Sequence, residues 1–387
     1  MNVLIIGAGF AGSVIARKLI DYNSEIKIKI LEKRDHIGGN MYDEMNSHGV
    51  LVHKYGPHIF HTNSSEVFEF IGRFTEYSAY KHEVVGLIDG YHVPIPFNFT
   101  GIDKLFSISK AEELKTVLLE NYDYNERVSI NELLNSDNTK IKELGEFVYE
   151  KVFVHYTAKQ WGIPIDRIDV SVINRIPVVM GYEEKHFTSR YQYMPQKGYT
   201  KMFENILNHP NIEVITHVNA KDKVHFDEVE KKIFYEGHEF NGPVIITGAL
   251  DELINYRYGV LPYRTLNLVF EEYEMNYYQE KPVVNYPNSE KFTRITEFKH
   301  LTGQYIQNNT VILKEYPATY TPGEGKVPFY PIVNEESWLK YHEYKEYYMN
   351  FENAYLCGRL SEYKYYDMNS VILQAFKIAD KIIKENF

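Results

Sequence analysis

Apolar residues open the chain as an unbroken run, Val3 to Ile6. From Ala11 to Ile20 they recur at helical spacing, and Ile26, Ile28 and Ile30 then alternate with other residues up to Glu32. A short apolar run, a 3.6-residue period and a two-residue period predict strand, helix and strand in turn. Two strands so joined pair in parallel through a right-handed crossover. A helix is predicted from Ser65 to Phe74, and VVGLI and YHVPI flank Asp89-Gly90, a dipeptide suited to a type I′ hairpin turn. Between about 100 and 151, Ser109 with Glu112 and Ser129 with Glu132 fit capping boxes that open amphipathic helices. Residues 152–194 are aromatic and loop-rich; helix, strand and hairpin signals return over 199–246, where KKIFYEG resembles a turn and PVIITG a buried strand. Strands dominate 264–316, including RTLNLVF and TVILKEY, and the tail reads as strand AYLCG, loop, and a helix from Asn369 to Ile383. YHEYKEYYMN at 341–350 reads as an amphipathic surface helix.

Composition narrows the classes. The 387 residues are 44% hydrophobic and 25% charged, ordinary values for a globular chain of two or three domains. The net charge of −11 argues against nucleic acid or an anionic membrane surface as partner, so an anionic ligand would need local arginines to overcome the global field. One cysteine, Cys357, excludes an internal disulfide framework and a cysteine-based zinc site and suits a reducing compartment. No run of about 18 apolar residues occurs, so no membrane insertion is expected. MNVLIIGAGFAGSVIA lacks the basic leader of a signal peptide and carries three closely spaced glycines, which places the chain in the cytoplasm. The 34 tyrosines are unusual, and a sugar- or ring-binding cleft would use them.

The first turn carries the strongest chemistry. Gly7-Ala8-Gly9-Phe10-Ala11-Gly12 is G-x-G-x-x-G between predicted strand and helix. Gly7 permits the tight turn, Gly9 lets backbone approach a pyrophosphate, and Gly12 allows close helix–strand packing. Glu32, 20 residues beyond Gly12, ends the second strand, where a carboxylate can accept from a ribose diol. Lys33 and Arg34 follow it, and Gly38-Gly39 in LEKRDHIGGN resembles the flavoprotein version of the motif, in which a second loop reaches FAD. Gly358 and Arg359 close the last strand. Asp367-Met368-Asn369-Ser370 opens the last helix, whose N-terminal dipole would favour negative charge on reduced flavin. Asp367 equally serves as a simple N-cap. His58 and His61 stand three apart, but no third ligand accompanies them, so no metal is expected. The order of elements predicts an α/β protein in three parts. A Rossmann-like FAD-binding domain, interrupted, covers 1–82, 195–250 and 328–387; a helical insertion covers 98–151; an antiparallel β-sheet domain covers 83–97, 152–194 and 251–327.

GAGFAG, LEKRDHIGGN, YGPHIFHT, YTAKQWG, NRIPV, MFENIL, FTRITE, FYPI and GRLSEYKYYDM together resemble the UDP-galactopyranose mutase family nearly end to end. The resemblance implies an isomerase that interconverts UDP-galactopyranose and UDP-galactofuranose. Reduced FAD would be its nucleophile at the anomeric carbon, with no net redox change, and the galactofuranose would supply a cell-surface polysaccharide. It further implies a homodimer and NAD(P)H or another reductant for the flavin. Arg175 and Arg294 match the family's diphosphate arginines, and Arg175 follows a stretch, about 162–178, whose counterpart is a mobile loop. Tyr156 matches the residue that stacks on uracil; Trp161 sits by the cleft, and Phe153 and Asn285 fit nucleotide contacts. Tyr330 and Tyr365 match tyrosines that reach the diphosphate, and Glu315 an acid near the cleft, with Asp367 also beside substrate. His58 is expected beside the flavin, together with Ile59, Asn40, Val218, Thr247, Gly248, Tyr366, Met368 and Ser370 as cofactor contacts. His186 stands where the family has a tyrosine near the sugar, and as a titratable ring it predicts an extra pH dependence of KM. Two other readings compete: an FAD-dependent oxidoreductase on the same scaffold, and a non-enzymatic nucleotide-binding protein of related fold.

Overall fold

The computed structural model describes residues 1–161, 176–323 and 325–387. Five strands form a parallel sheet in the order Ile212–Ile215, Lys27–Leu31, Asn2–Ile6, Val244–Ile246, Ala354–Leu356. Side chains alternate across it. Val3, Ile5, Ile28, Ile30 and Ile245 join one core with helices Phe10–Tyr22 and Met368–Asn386, whereas Leu4, Ile6, Leu31, Val244 and Ile246 join a second core on the opposite face. Both faces are covered, which is why these strands read as continuous apolar runs.

The second core bears out one expectation. YHEYKEYYMN lies in helix Glu335–Met349, and Tyr341, Tyr344, Tyr347 and Tyr348 are buried on its inner stripe. It is an amphipathic helix whose tyrosine rings face the core while Glu336, Leu339, Glu343 and Glu346 lie exposed on the other side, and the tyrosine hydroxyls find backbone acceptors, as Tyr344 does at the Gly259 carbonyl (2.7 Å) and Tyr348 at that of Leu250 (2.9 Å). KKIFYEG, expected as a turn, is mainly strand: Lys232–Tyr235 pairs with Val224–Asp227, while Lys231, Glu236 and Gly237, all at positive φ, turn. In the helical segment Ser129 caps its helix as expected, accepting from the Glu132 N–H (3.2 Å). The preceding helix, Ile108–Asn121, starts earlier than expected, because Ser107 has the extended backbone a cap needs and accepts from the Lys110 N–H. A π-helical turn, Tyr149–Val154, then leads into helix His155–Trp161.

A seven-stranded sheet completes the scaffold, in the order Tyr330–Pro331, Tyr263–Tyr273, Thr310–Thr319, Arg294–Glu297, Val283–Asn285, Val84–Ile88, Tyr91–Ile95. Its neighbours are antiparallel except Val283–Asn285 and Val84–Ile88, which run parallel. The predicted hairpin is present, with Asp89 and Gly90 both at positive φ. Register sets Gly86, Asn285, Arg294, Glu315 and Leu268 in one row across the sheet, so their side chains share a face.

Asp251 is 1% exposed beneath the tyrosine core and accepts from the Leu261 N–H (2.9 Å). Burial pushes its carboxyl up to about 6. The folded chain therefore holds an extra proton between about pH 4 and 6, and stability falls as pH rises through that window. Asp251→Asn keeps an acceptor for Leu261 and drops the charge. Urea denaturation should show the variant more stable at pH 7.5, by up to about 3 kcal/mol, with the decline between pH 4 and 6 reduced.

Candidate functional site

The carboxyl ends of the parallel strands open on a cleft that encloses, with its mouth, about 1250 Å³. The Gly7 backbone has φ +108, a conformation that favours glycine, and its N–H donates to the Leu31 carbonyl (2.8 Å). Gly12 lies beneath the lining: a Cβ there would stand 2.1 Å from the Gly7 carbonyl oxygen. Helix Phe10–Tyr22 begins at Gly9 with no side-chain cap and no acidic residue in its first turn, so its N–H groups and positive end face the cleft. The second glycine pair clasps the first. The Gly38 N–H donates to the Ala8 carbonyl (2.9 Å), and a Cβ on Gly39 would meet the Gly9 Cα at 3.1 Å.

Glu32 accepts from the Ala8 N–H (2.8 Å) through one oxygen and from the Arg34 N–H (3.0 Å) through the other. A carboxylate has about four acceptor positions, so two bonds leave room for a diol. Lys33 pairs with Glu252 (2.6 Å). Arg34 donates to Asn40 (2.8 Å), lies over the Tyr55 ring at 4.2 Å, and holds Nη1 buried without an acceptor. A bare helix N-terminus, a glycine-lined strip and an orphaned guanidinium N–H fit an anionic dinucleotide.

Phe10, Ala11, Val218, Thr247, Gly248, Gly358, Arg359, Asp367 and Met368 also line this cleft. His58, Ile59, Tyr366 and Ser370 do not. Ile59 belongs to the core, the Tyr366 carbonyl accepts from Arg359, and the Ser370 N–H donates to the capping carboxylate of Asp367 (2.7 Å). Gly38, Met41, Asn219, Ala249 and Phe329 line it unpredicted; only Gly38 carried a sequence signal.

Beyond Arg359 lies a cluster of like charges. Arg294 on its strand faces Glu315 directly across the register, Nε to Oε1 2.6 Å, with Glu315 2% exposed. Arg359 lies over the Tyr330 ring at 4.3 Å and Arg264 at 5.5 Å, while Tyr365 stacks on Tyr330 at 5.1 Å. Burial alone would raise the Tyr330 phenol, but Arg359, Arg294 and Arg264 together draw it below its ordinary value. Three guanidiniums against one carboxylate leave a positive field, an anion site beside the cleft. Arg264, which donates to the Gln160 carbonyl (2.7 Å), was not singled out by any motif.

His58 sits in a loop beside this pair; a Cβ on neighbouring Gly56 would be 3.6 Å from Glu315. His58 Nδ1 is 2.7 Å from the Gly56 carbonyl, so it donates and Nε2 is the acceptor in the neutral ring. Burial, His53 and Arg359 push its pKa to about 3. His186 Nδ1 likewise donates to the Ile95 carbonyl (3.0 Å), its ring 5.5 Å from that of His82. Burial lowers His186, so its titration lies below neutrality, and the expected pH dependence of KM moves there with it. Phe153, Tyr156 and Asn285 come together in a second pocket. Trp161 ends the helix His155–Trp161. Arg175, and the expected loop at about 162–178 up to that residue, lie outside the described residues. Among the described residues, no group of three or more His, Cys, Asp or Glu side chains is placed to hold a metal, and no helix is long and apolar enough to cross a membrane.

A family model described as UDP-galactopyranose mutase matches residues 151–365, and one described as an NAD(P)-binding Rossmann-like domain matches residues 5–74. A UDP-galactopyranose mutase of Mycoplasma genitalium is 36% identical over 99% of this chain and 95% of its own. A dTDP-fucopyranose mutase of Escherichia coli is 35% identical over 100% of this chain and 99% of its own. A crystal structure of reduced UDP-galactopyranose mutase superposes with a TM-score of 0.71 at 15% identity, covering 99% of this chain and 96% of that one.

Two histidines near the site, His53 and His58, carry a pH consequence. Burial lowers His53 to about 4 and His58 to about 3, whereas an unfolded imidazole titrates near about 6.5. Below that value the unfolded chain binds more protons, so stability is lost as pH falls from 6.5. His53→Asn and His58→Asn should each flatten the decline, by up to about 1.4 kcal/mol per pH unit, in denaturation midpoints between pH 6.5 and 4.5. Unchanged slopes in both would show that these rings are not held neutral.

Proposed function

The chain belongs to the UDP-galactopyranose mutase family, and on that premise we propose that it interconverts UDP-galactopyranose and UDP-galactofuranose with FAD held in its glycine-lined cleft. The observation that carries this reading is the meeting, at Arg359, of a dinucleotide cleft with a cluster of three arginines. An oxidoreductase on the same scaffold would have no use for such a cluster. In its reduced form FAD would supply a nucleophilic nitrogen for the anomeric carbon, with no net redox change.

The chain's own residues do the rest. The first-turn N–H groups of helix Phe10–Tyr22 and the orphaned Arg34 Nη1 hold the dinucleotide's anionic centre, and Glu32 holds a ribose diol. The N-terminus of helix Met368–Asn386, capped by Asp367, directs its positive end into the cleft, where it would favour negative charge. Arg294 and Arg264 grip the diphosphate as planar donors, with Tyr330 and Tyr365 beside them; Arg175 joins them in this reading from the sequence alone. Held there, the departing UDP stays oriented for return to the same sugar. Tyr156 and Phe153 take the base. His58 and His186, both neutral at pH 7, offer Nε2 as an acceptor for a proton donor on cofactor or sugar. The division at 1–82, 195–250 and 328–387 for the FAD domain, the cytoplasmic location, the homodimer, an NAD(P)H-type reductant and supply to a cell-surface polysaccharide complete the proposal.

The decisive assay incubates dithionite-reduced holoenzyme with UDP-galactofuranose and separates products by chromatography. UDP-galactopyranose is expected; its absence would reject the reading. Arg294→Ala should lower kcat/KM by at least about 10²-fold with flavin content unchanged, since it leaves Glu315 buried without its partner and removes a diphosphate donor. Gly39→Val, by contrast, should strip the flavin, because a side chain there forces the two glycine loops apart.

A further inference from the structure

We infer that Tyr330 is a proton-linked ligand of the diphosphate: a fraction of it stands as phenolate in the empty site, and it takes a proton from solvent as a UDP-sugar binds. This rests on the mutase reading and adds the charge regulation of that same site.

Tyr330 begins the edge strand Tyr330–Pro331 of the seven-stranded sheet and stands opposite Arg264 on its neighbour. The Arg264 guanidinium lies 5.5 Å from the ring centroid, and that of Arg359, from the loop after the last parallel strand, lies at 4.3 Å. Arg294 acts on the phenol from a third strand. Glu315, the carboxylate that opposes them, is buried and already committed to Arg294, Nε to Oε1 2.6 Å. The other titratable groups that face Tyr330 are phenols: Tyr365, stacked on it at 5.1 Å, and Tyr156 from helix His155–Trp161.

Among the described residues, three guanidiniums against one carboxylate leave the empty cluster with an excess of about two positive charges. A phenol held against that excess ionises more readily than one in water, because the field stabilises its anion. Burial opposes this, and the arginines prevail. A diphosphate diester brings one negative charge on each phosphate and cancels the excess. The support for a phenolate is then gone, and a phenolate beside the ligand would repel it. A proton from solvent restores the hydroxyl, which can donate to a phosphate oxygen as the guanidiniums do. Linkage makes the effect reciprocal: the ligand favours the protonated phenol by the factor with which that phenol favours the ligand. Affinity for a UDP-sugar therefore falls as pH rises through the titration of the empty site, by at most about tenfold per pH unit for one proton. In the bound complex the phenol keeps its proton, so the loss falls on kcat/KM and leaves kcat level.

The test is equilibrium binding of UDP-galactopyranose to oxidised, FAD-loaded enzyme from about pH 7 to about pH 9.5, for wild type and Tyr330→Phe. Oxidised flavin is no nucleophile, so binding is read without turnover. Uracil ionises in the upper part of this range for both enzymes alike, and the phenylalanine variant supplies that baseline. We expect the wild-type Kd to rise at least about threefold more than that of the variant. Calorimetry in buffers of different ionisation heat should show proton uptake by wild type that Tyr330→Phe lacks. Arg264→Gln keeps the phenol and removes one of the three charges, so it should move the fall in affinity to higher pH, with flavin content as the check on folding. Parallel pH profiles for wild type and Tyr330→Phe, or equal proton uptake, overturn the inference: a hydroxyl that only stacks or donates changes Kd by one factor at every pH. Mutase turnover with parallel profiles sinks this inference alone. Proton-coupled binding without turnover sinks the catalytic reading alone, and absence of binding at every pH removes both.

Discussion

Three guanidinium groups gathered about the Tyr330 ring, one of them paired with a buried carboxylate, are the constraint on which the site depends. Arg264, Arg294 and Arg359 repel one another, and Glu315 answers only one of them directly. Backbone carbonyls carry much of the remainder: Gln160 accepts from Arg264, and Tyr366 and Phe329 from Arg359. Tyr330 offers an aromatic face to both Arg264 and Arg359. A chain of net charge −11 keeps a cluster of cationic side chains together only where such neighbours hold it.

The cleft beside it follows a different logic. Backbone does the work there, through a helix that begins without a side-chain cap and two loops whose glycines touch. Arg359 belongs to both regions, lining the cleft while lying over Tyr330, so the cleft and the arginine cluster share a wall. The seven-stranded sheet supplies rigidity. Asn285, Arg294 and Glu315 come from three strands yet stand in one row, because hydrogen-bond register places them there.

The parts that were legible beforehand are those whose signal is local. The parallel strand pair, the hairpin at Asp89-Gly90 and the roles of Gly7, Gly9 and Gly12 each depend on a few neighbouring residues and on steric rules that allow little choice. The tyrosine helix was legible as amphipathic, and folding decided that its tyrosine stripe is the one that faces inward. Ser107 and Ser109 are both competent caps two residues apart, and the folded chain gives Ser107 the extended backbone a cap needs. Arg264 had no motif at all; it matters through contacts with residues far away in the chain, Gln160 and Tyr330.

Residue order alone therefore determined the nucleotide-binding turn, the class of fold and the family, since glycine spacing, period and motif identity are properties of short segments. Folding decided the charge states and the company each side chain keeps. His58 and His186 are neutral because burial withholds water from their charged forms, and a free imidazole of the same sequence would titrate near neutrality. Desolvation and the field of distant charges depend on where non-adjacent segments come to rest, a quantity that exists only once the sheets have closed around the site.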